Sequence, residues 1–554
     1  MEGGTKKVFT VQVEDGKPRK DGRPAVGPVF RSALSKDGFP PLEPDMKTSW
    51  DVFRVAAGKY PDNRMLGWRP VKDGVIGPYI WKSYKEVYEE VLQVGSALQQ
   101  LGVKPGSRIG IYGSNCPQWI VAMQVNFVDL ICVPLYDTLG AGAVDFIIDH
   151  AEIDVIFVQD KKIKEILSAN CKSAKRVKGL VAFTSGTSEE ITSADQIGMK
   201  LYSWKDFLKM GKENPAQPCP PKPNDTCTIM YTSGTSGEPK GVMLSHESHA
   251  IYVKGVDLFM DQFDDKVKAR LGGRLRLLIS GGAPLSNEIE EFLRVTSCAY
   301  FVQGYGLTET LGPSTVCYPD DMSLVGTVGV AATYTELRLE EVPEMGYNPL
   351  GTPSRGEICV RGNFFTGYYK NPELTNEVMA DGWFHTGDIG EMNSDGILKV
   401  IDRKKNIFKL SQGEYVAVEY LEKVYVFPPT VEDVWVYGDS FRSMLVAVVN
   451  PHEENTMKWA ESNGCKGSFA EICKSEGLKE YILKELQSVA AKNKLRGFEY
   501  VKGVILDPIP FDLERDLVTA TMKKKRNNML KYYKPEIEKV YQKLEEQRVA
   551  AKSK

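Results

Sequence analysis

Between about residues 83 and 105, apolar positions recur with the period of a helix. The apolar residues of this stretch are Val87, Val91, Val94, Leu98 and Leu101. Spacings of three or four residues place them on one face of an α-helix. Ser83, followed three residues later by Glu86, forms a capping box that predicts the helix start. Gly102 and Pro105 predict its end.

Short, uniformly apolar runs follow this helix and predict buried strands. They lie at residues 109–112, 130–135 and 155–158. Strands that alternate with helices favour a parallel sheet covered by helices, so the expected fold class is α/β. A further strand-like run, residues 227–231, precedes a segment rich in Ser, Thr and Gly.

Composition and length divide the chain into three parts. Residues 1–46 are rich in Gly, Pro and charged residues and predict an extended N-terminal arm. Residues 47–401 are expected to form a large domain. A boundary is expected near Asp402, because single cores stop growing at about 250–300 residues and the chain has 554. Residues 402–554 have the length of one small domain.

Charge and cysteine content exclude several classes of function. Seventy Lys and Arg against 73 Asp and Glu give a formal charge of −3, which provides no general attraction to nucleic acid. Ten Cys occur without a C-x-x-C pair. Neither a disulfide framework nor a zinc site is therefore expected, and a reducing compartment is favoured.

Residues 231–241 carry the most informative chemistry of the chain. Four hydroxyl side chains, two glycines and a lysine occur there: Thr232, Ser233, Gly234, Thr235, Ser236, Gly237 and Lys240. Glycines let the backbone approach a polyphosphate, hydroxyl and N–H groups donate to its oxygens, and Lys240 adds positive charge. The spacing is not that of a Walker A loop. A flexible linker is disfavoured because an apolar run follows directly, so the segment predicts a phosphate-binding loop.

This loop resembles the signature of the adenylate-forming, or AMP-binding, superfamily. Four further motifs of that superfamily follow in the expected order, at residues 278–284, 305–310, 383–388 and 402–405. The resemblance covers roughly residues 48–545. It implies an α/β fold with a large N-terminal adenylate-forming domain of parallel sheets covered by helices, plus a smaller mobile α+β C-terminal domain.

The resemblance also assigns roles to individual residues. Beyond the loop, the ATP-binding residues that it implies are Gly281, Gly282, Ala283, Pro284, Tyr305, Gly306, Thr308, Asp388 and Arg403. The ring of Tyr305 would stack on adenine, Thr308 would contact the α-phosphate, and Asp388 would hold the ribose hydroxyls. Glu309 would bind Mg²⁺. Taken alone, each could be an ordinary core, surface or turn residue; their order favours function.

A catalytic lysine is implied within residues 519–526, Thr-Ala-Thr-Met-Lys-Lys-Lys-Arg. In the superfamily this lysine bridges the attacking carboxylate and the α-phosphate, in addition to the charge that Lys240 supplies. Lys523 is the first choice, while Lys524 and Lys525 remain open as alternatives. A basic patch without a catalytic role is a further alternative.

The C-terminal domain is implied to rotate at a hinge, Asp402, between two half-reactions. Rotation would withdraw the catalytic lysine and bring the loop at residues 411–416 to the site. Coenzyme A would then contact Gly413, Glu414 and Tyr415, where the glycine permits close approach.

Within the superfamily, three local sequences resemble long-chain fatty acyl-CoA synthetases of the plant type. They are residues 413–417, the pair Lys523 and Arg526, and residues 364–369. The implied reaction joins a long-chain fatty acid to coenzyme A through an acyl adenylate and converts ATP to AMP and diphosphate. Mg²⁺ is the implied cofactor, and fatty acid, ATP and coenzyme A are the implied partners.

The interval after the phosphate loop is shorter than in this family. Only 40 positions separate Lys240 from Ser280, whereas family members have several times more, which help to wall the fatty-acid tunnel. The joint is expected near Lys266 and Val267. An alternative function is therefore a non-catalytic or impaired variant that binds nucleotide or acyl group. Lost apolar burial is expected to weaken its folding or its long-chain activity.

Adenylation for transfer to a carrier protein is another alternative. Residues 271–275, Leu-Gly-Gly-Arg-Leu, have Leu where a phosphopantetheine acceptor would have Ser. No carrier-protein domain is therefore expected.

The expected location is cytoplasmic, at the cytosolic face of the endoplasmic reticulum with peripheral membrane contact. The first residues lack the apolar core of a signal peptide, and no run reaches the roughly 18–20 apolar residues of a membrane span. The last four residues, Ala551-Lys552-Ser553-Lys554, differ from the Ser-Lys-Leu peroxisomal address.

Overall fold

The protein is described by a computed structural model. It covers residues 8–72, 75–136, 142–168, 177–232, 239–260, 277–283, 285, 287–297, 299–319, 321–412, 414–438, 440–519 and 522–552. These ranges contain 28 strands and 15 α-helices.

Strands occur along the whole described chain. Before residue 300 they are β1 Thr10–Glu14, β2 Val29–Ser32, β3 Arg64–Trp68, β4 Val71–Lys72, β5 Val75–Ile76, β6 Ile80–Ser83, β7 Arg108–Tyr112, β8 Ile131–Leu135, β9 Ile153–Val158, β10 Gly179–Ala182, β11 Lys200–Tyr202, β12 Thr226–Thr232, β13 Lys240–Ser245 and β14 Leu277–Ser280. From residue 300 on they are β15 Tyr300–Leu307, β16 Gly312–Val316, β17 Val330–Ala331, β18 Glu336–Glu340, β19 Ser354–Arg361, β20 Gly367–Tyr368, β21 Met379–Ala380, β22 Trp383–Met392, β23 Leu398–Arg403, β24 Ile407–Lys409, β25 Tyr415–Ala417, β26 Val431–Tyr437, β27 Leu445–Pro451 and β28 Val501–Leu506.

Helices separate many of these strands. The α-helices are α1 Ser49–Lys59, α2 Tyr84–Gln100, α3 Pro117–Met123, α4 Ala143–His150, α5 Ile163–Leu167, α6 Ser188–Gln196, α7 Trp204–Glu213, α8 His246–Met260, α9 Asn287–Ser297, α10 Pro372–Val378, α11 Val418–Tyr425, α12 Glu453–Ser462, α13 Phe469–Lys474, α14 Glu476–Lys492 and α15 Arg526–Lys552. None of the described helices is long and apolar enough to cross a bilayer.

The first large sheet has eight strands in the order β11-β10-β9-β7-β8-β12-β13-β20. Its first five neighbouring pairs are parallel and its last two are antiparallel. The predicted helix is confirmed as α2, with the capping box of Ser83 and Glu86 at its start. Its apolar stripe is buried in one core with β7 and β9. The parallel, helix-covered sheet is likewise confirmed.

The second large sheet is antiparallel and includes the start of the chain. Its order is β1-β2-β18-β19-β22-β21, and β23 pairs with β22. The predicted N-terminal arm contains the extended strands β1 and β2, and β2 pairs with β18; its boundary at residue 46 stays a prediction. Phe30 of β2 is buried beside Leu337 and Ile358 of the large domain, and it lies opposite Leu337 in the sheet. The arm thus supplies two strands and part of a core.

A smaller sheet, β14-β15-β16-β17, precedes β18 in the chain. The strand β14 and the helix α9 expose apolar side chains: Ile279, Ile289, Phe292 and Val295. Residues 261–276 precede β14 and contain the predicted joint at Lys266 and Val267, which lies outside the described residues.

The C-terminal part has its own sheet, β26-β27-β28, packed against helices. The buried residues of its two cores begin at Leu410. Ile407 packs instead with Val342 and Ile389 of the large domain. Asp402 lies inside β23, so this position belongs to a strand and not to a linker between domains. The boundary at 401/402 stays a prediction.

Candidate active site

The phosphate loop connects two antiparallel strands. The strands β12 and β13 pair along their length, and Thr232 lies opposite Lys240 where the ladder ends. The loop residues between them lie outside the described residues: Ser233, Gly234, Thr235, Ser236 and Gly237. The ladder nevertheless fixes where the loop starts and where it returns.

Lys240, Tyr368 and Glu309 come together from three elements. The Nζ atom of Lys240 lies 4.9 Å from the ring centre of Tyr368, and the Tyr368 hydroxyl donates to Oε1 of Glu309 at 2.7 Å. Burial lowers the pKa of Lys240, and the charge of Glu309 opposes this shift. Burial and then Glu309 raise the pKa of Tyr368, so its hydroxyl keeps the proton that it donates.

Thr308 begins the short 3₁₀ helix Thr308–Thr310 directly after β15. Its carbonyl accepts a hydrogen bond from the N–H of Leu311 at 3.1 Å. Two residues earlier, a Cβ at Gly306 would lie 2.0 Å from the carbonyl oxygen of Gly312. A side chain at Gly306 would therefore clash with the backbone of Gly312 and open the tight turn that contains Thr308 and Glu309.

The turn predicted to hold adenine follows β14. A Cβ at Gly281 would lie 3.1 Å from the carbonyl oxygen of Gly304, and Gly282 has a φ of +81°. Both positions therefore favour glycine. Ala283 is exposed, and Pro284 lies outside the described residues.

Tyr305, Asp388 and Arg403 form one cluster. The Tyr305 hydroxyl donates to Oδ2 of Asp388 at 2.6 Å. Arg403 lies opposite Asp388 across β22 and β23, with its Nε 3.5 Å from Oδ1. Burial raises the pKa of Asp388, although Arg403 and the hydrogen bond from Tyr305 lower it. Three motifs that are distant in sequence therefore meet at one carboxylate.

Lys523 approaches this cluster from the C-terminal part. Partial burial lowers the pKa of Lys523 and the nearby charge of Arg403 lowers it further, whereas Asp388 and Glu419 oppose this. Its backbone N–H donates to Oγ1 of Thr519 at 3.0 Å, and the Thr519 N–H donates to the Lys523 carbonyl at 2.8 Å. These two hydrogen bonds hold the backbone of Lys523 against Thr519.

The two neighbouring lysines form ion pairs within the C-terminal part. Nζ of Lys524 lies 2.8 Å from Oδ1 of Asp433, and Lys525 pairs with Asp516. The three lysines thus differ: Lys524 and Lys525 are held in ion pairs within the C-terminal part, whereas the charges of Arg403, Asp388 and Glu419 act on Lys523.

Arg526, the first residue of α15, binds Glu422 of α11 in bidentate geometry. Its Nη1 and Nη2 atoms donate to Oε1 and Oε2, each at 2.9 Å. Glu422 also accepts from the backbone N–H of Val436 at 2.9 Å. This pair ties the chain just after Lys523 to the first helix of the C-terminal part.

Asp402, in strand β23, caps that same helix. Its Oδ2 accepts from the N–H of Glu419, in the first turn of α11, at 2.8 Å, and its Oδ1 accepts from the N–H of Arg403 at 2.7 Å. Burial, followed by the charge of Glu419, raises the pKa of Asp402 to about 7. The predicted hinge residue therefore joins the second large sheet to α11.

Of the residues predicted to contact coenzyme A, Tyr415 packs against the cluster of Val342, Ile389 and Ile407. Gly413 lies outside the described residues. The Glu414 carbonyl accepts from the N–H of Leu410 at 2.8 Å. Tyr415 pairs with Lys409, whose Nζ lies 5.3 Å from the Tyr415 ring centre.

Sequence reasoning missed Tyr368, which joins Lys240 to Glu309. A sequence signal exists, because residues 364–369 resemble long-chain acyl-CoA synthetases. The local sequence does not, however, indicate what Tyr368 does. The register of β20 against β13, with Tyr368 opposite Val242, supplies that role, and local pattern alone does not reveal it.

Glu309 is a suitable Mg²⁺ ligand by chemistry and placement. It is buried, and Tyr368 occupies only its Oε1 atom among the described residues. Mg²⁺ is commonly held by one or two carboxylates together with substrate phosphates. Another group of potential ligands, Glu340, Cys359 and His385, fits Mg²⁺ poorly because it relies on a thiol and an imidazole.

A family model matches more than half of the chain. The model of the AMP-binding enzyme family matches two ranges, residues 53–270 and 256–369, which overlap at residues 256–270.

Curated relatives align with almost the whole chain. Long chain acyl-CoA synthetase 1 of Arabidopsis thaliana is 50% identical over 659 residues, with 98% of this chain and 100% of the relative covered. Long chain acyl-CoA synthetase 4 of the same plant is 41% identical, with 97% and 98% covered. The first alignment exceeds the 554 residues of this chain by 105 (659 minus 554), so that relative contains stretches without a counterpart in this chain.

Solved structures share the fold at low sequence identity. The adenylation domain of the carboxylate reductase of Mycobacterium chelonae has a TM-score of 0.73 at 23% identity, covering 90% of this chain and 92% of that one. The corresponding domain from Segniliparus rugosus, in complex with AMP and a co-purified carboxylic acid, has a TM-score of 0.72 at 22% identity, covering 90% and 94%.

Proposed function

Because this chain belongs to the AMP-binding enzyme family and, within it, to the plant-type long-chain acyl-CoA synthetases, we propose that Asp388, Arg403 and Lys523 form its adenylation site. The protein is a ligase that activates long-chain fatty acids to their coenzyme A thioesters. The identity over nearly the full chain favours this function over an impaired remnant.

The first half-reaction requires a fatty-acid carboxylate to attack the α-phosphate of ATP. Both reactants are anions, so positioned positive charge is the main requirement. Lys240, at the end of the phosphate loop, and Lys523, from the C-terminal part, would supply that charge. Thr308 would hold the α-phosphate, and Tyr305 and Asp388 would hold adenine and ribose.

Glu309 would hold Mg²⁺, which supplies further charge neutralisation at the phosphates when bound. The hydrogen bond from Tyr368 orients the Glu309 carboxylate, and the same ring lies beside Lys240. Tyr368 would therefore keep Glu309 and Lys240 in fixed positions relative to each other.

Two findings support this proposal: the charges of Arg403 and Asp388 act on Lys523, and ion pairs hold the rival lysines, Lys524 and Lys525, at other carboxylates. Lys523→Ala should lower fatty-acid-dependent pyrophosphate exchange by about a hundred- to a thousandfold, because one positioned charge of the transition state is lost. Lys525→Ala is the matched control, since Lys525 pairs with Asp516, and it should retain exchange within a few-fold. Near-normal exchange in Lys523→Ala, with a large loss in Lys525→Ala, would contradict the assignment.

The second half-reaction transfers the acyl group to the thiol of coenzyme A. We propose that α11 and the rest of the C-terminal part rotate about Asp402, withdrawing Lys523 and bringing Gly413, Glu414 and Tyr415 to the acyl adenylate. The thiol sulfur then bonds to the acyl carbon, the thiol proton is released, and AMP leaves.

The shortened interval is proposed to lie near Lys266 and Val267. The family model matches two ranges of the chain that overlap at residues 256–270. The first relative has at least 105 positions without a counterpart in this chain. Aligning the genomic or transcript sequence around this joint tests the location directly.

Attachment to the cytosolic face of the endoplasmic reticulum is proposed from the lipid substrate. The protein should be released from membranes by alkaline carbonate. Resistance to carbonate, or recovery from the secretory lumen, would contradict the proposed location.

A further inference from the structure

A β-hairpin projects from the large domain and carries an unusual concentration of exposed apolar side chains. The strands β3 and β6 pair at its base, with Trp68 opposite Ile80, and β4 and β5 pair farther out, with Val71 opposite Ile76. The base is held firmly, because Met65 and Leu66 pack against the core that contains α2.

Five large apolar residues within seven positions of this hairpin are exposed. Their exposed fractions are 70% for Val75, 56% for Ile76, 62% for Tyr79, 46% for Ile80 and 43% for Trp81. Exposed large apolar side chains that are concentrated in one segment mark a candidate site of interaction. Together with Arg64 and Arg69, these five residues form what we call the hairpin surface.

The aromatic rings of the hairpin surface are flanked by arginines. Tyr79 and Trp81 stack with their ring centres 5.8 Å apart. The guanidinium carbon of Arg64 lies 5.5 Å from the Trp81 ring centre, and that of Arg69 lies 6.0 Å from the Tyr79 ring centre. Trp81 also covers Gly67, where a Cβ would lie 2.7 Å from its ring. The rings therefore form an ordered row with a cation at each end.

The two arginines have no carboxylate partner among the described residues. Lys82, by contrast, forms an ion pair with Glu90. Residues 64–83 contain four basic residues and one acidic residue, although the whole chain has a formal charge of −3. Positive charge is thus concentrated beside the exposed apolar residues.

We propose that the hairpin surface docks the protein on anionic phospholipid bilayers. Tyr and Trp favour the boundary between headgroups and acyl chains, since each ring has an apolar body and a polar edge. Arg64 and Arg69 would bind headgroup phosphates, which guanidinium groups pair with well. Ile76 and Val75, at the outer end, would enter the acyl region. The choice of a bilayer as partner rests on the proposed use of a lipid substrate.

Vesicle binding tests the apolar part of this surface. The full-length protein should sediment with vesicles of phosphatidylcholine and phosphatidylserine, and the double variant Ile76→Ser with Tyr79→Ser should bind about tenfold more weakly. The control is Ile509→Ser with Leu513→Ser, which removes two equally exposed apolar residues from the C-terminal part and should bind as the unchanged protein does.

The charged part is tested by Arg64→Gln with Arg69→Gln. This variant should bind the anionic vesicles about tenfold more weakly, because each cation near an anionic surface adds attraction. Binding of the unchanged protein should also weaken with added salt. Lys209→Gln with Lys212→Gln is the control for total charge, since both lysines lie on the exposed side of α7, and it should bind normally.

A conservative variant provides a second readout if the double variants fold poorly. Brominated phosphatidylcholine in the vesicles should quench the fluorescence of the protein, and Trp81→Phe should lose part of that quenching. Equal quenching in both proteins would place Trp81 away from the lipid and overturn the proposal.

Three other results would overturn it. The first is failure of the unchanged protein to bind anionic vesicles, and the second is unchanged binding by both hairpin variants. The third is self-association, seen by light scattering without lipid and abolished in the hairpin variants, which would make the surface a contact between copies. Ligase activity on detergent-dispersed fatty acid separates this inference from the proposed function, because an active enzyme that ignores vesicles contradicts only the docking.

Discussion

The two sides of the proposed adenylation site are built differently. On the large-domain side, direct hydrogen bonds hold the groups: Tyr305 donates to Asp388, and Tyr368 donates to Glu309. On the C-terminal side, Lys523 meets Asp388 through charge, while the chain around it is tied to its own domain by the pair of Arg526 and Glu422.

Under the proposed rotation, this difference would separate a fixed half of the site, on the large domain, from a movable half, on the C-terminal part. Groups that bond one another within one domain stay in place when the other domain moves. Lys523 could therefore move away from Asp388 while the bidentate pair of Arg526 and Glu422 stays intact. The cap that Asp402 gives to α11 is, in contrast, a directional link across the junction, so rotation has to pivot at this residue or break its hydrogen bond.

Asp402→Pro should show the largest effect on the movable half. Proline fixes φ and removes a backbone N–H, so we expect one half-reaction to fall about a hundredfold more than the other, as misplaced groups commonly cost that much. Pyrophosphate exchange and single-turnover thioester formation measure the two steps. Equal losses in both steps would argue against rotation at Asp402.

Tyr368→Phe tests the fixed half. Removing a hydrogen bond to a charged group costs about 1.5–3 kcal/mol, so pyrophosphate exchange should fall about tenfold and the Mg²⁺ concentration for half-maximal rate should rise. Tyr369→Phe is the control, because its hydroxyl accepts from Arg108 instead. A Mg²⁺ requirement that is unchanged in Tyr368→Phe would contradict the role given to Glu309.

Arg526→Lys should have a smaller effect, confined to the movable half. Lysine cannot reproduce the two parallel bonds to Glu422, so the turn with Lys523 should loosen and pyrophosphate exchange should fall about fivefold. Arg442→Lys disturbs a different ion pair of the C-terminal part, with Glu545, and should leave exchange unchanged. If both variants behave alike, the pair does not position Lys523.

Asp402→Asn should have the smallest effect, visible in the pH dependence of stability. The folded protein holds the pKa of Asp402 at about 7, above its ordinary 3.8, so the folded state binds more protons than the unfolded state between those values. This group therefore favours folding at low pH, and that contribution is lost as pH rises to about 7. As pH rises from 3.8 to about 7, the melting temperature of the unchanged protein should fall relative to that of Asp402→Asn. A parallel course of the two curves would contradict the assigned pKa.

Local sequence signals predicted much of the fold. The capping box and apolar stripe of α2 are local features, and they indicate both the helix and its buried face. The strands β7, β8 and β9 are visible as short apolar runs. Such elements can be predicted because the pattern that specifies them lies within the element itself.

Long-range partners were harder to predict. Nothing within residues 1–46 indicates that β2 pairs with β18, more than 300 positions later. The link from Tyr368 to Glu309 depends on strand register, and the direction of Lys523 depends on ion pairs of Lys524 and Lys525 with distant carboxylates. The order of the motifs indicated which residues to propose for the site, and that assignment stays a prediction, whereas these contacts required coordinates.

The insertion of β2 into the second large sheet limits where translation of a working polypeptide can begin. A product that starts after Ser32, through an internal start codon or proteolysis, would lack Phe30, and loss of a buried phenylalanine typically costs about 3–5 kcal/mol. It would also lack Arg31, which pairs with the buried Glu336. Transcripts that skip the first coding segment should therefore yield unstable protein, even though every residue of the ATP motifs would still be encoded.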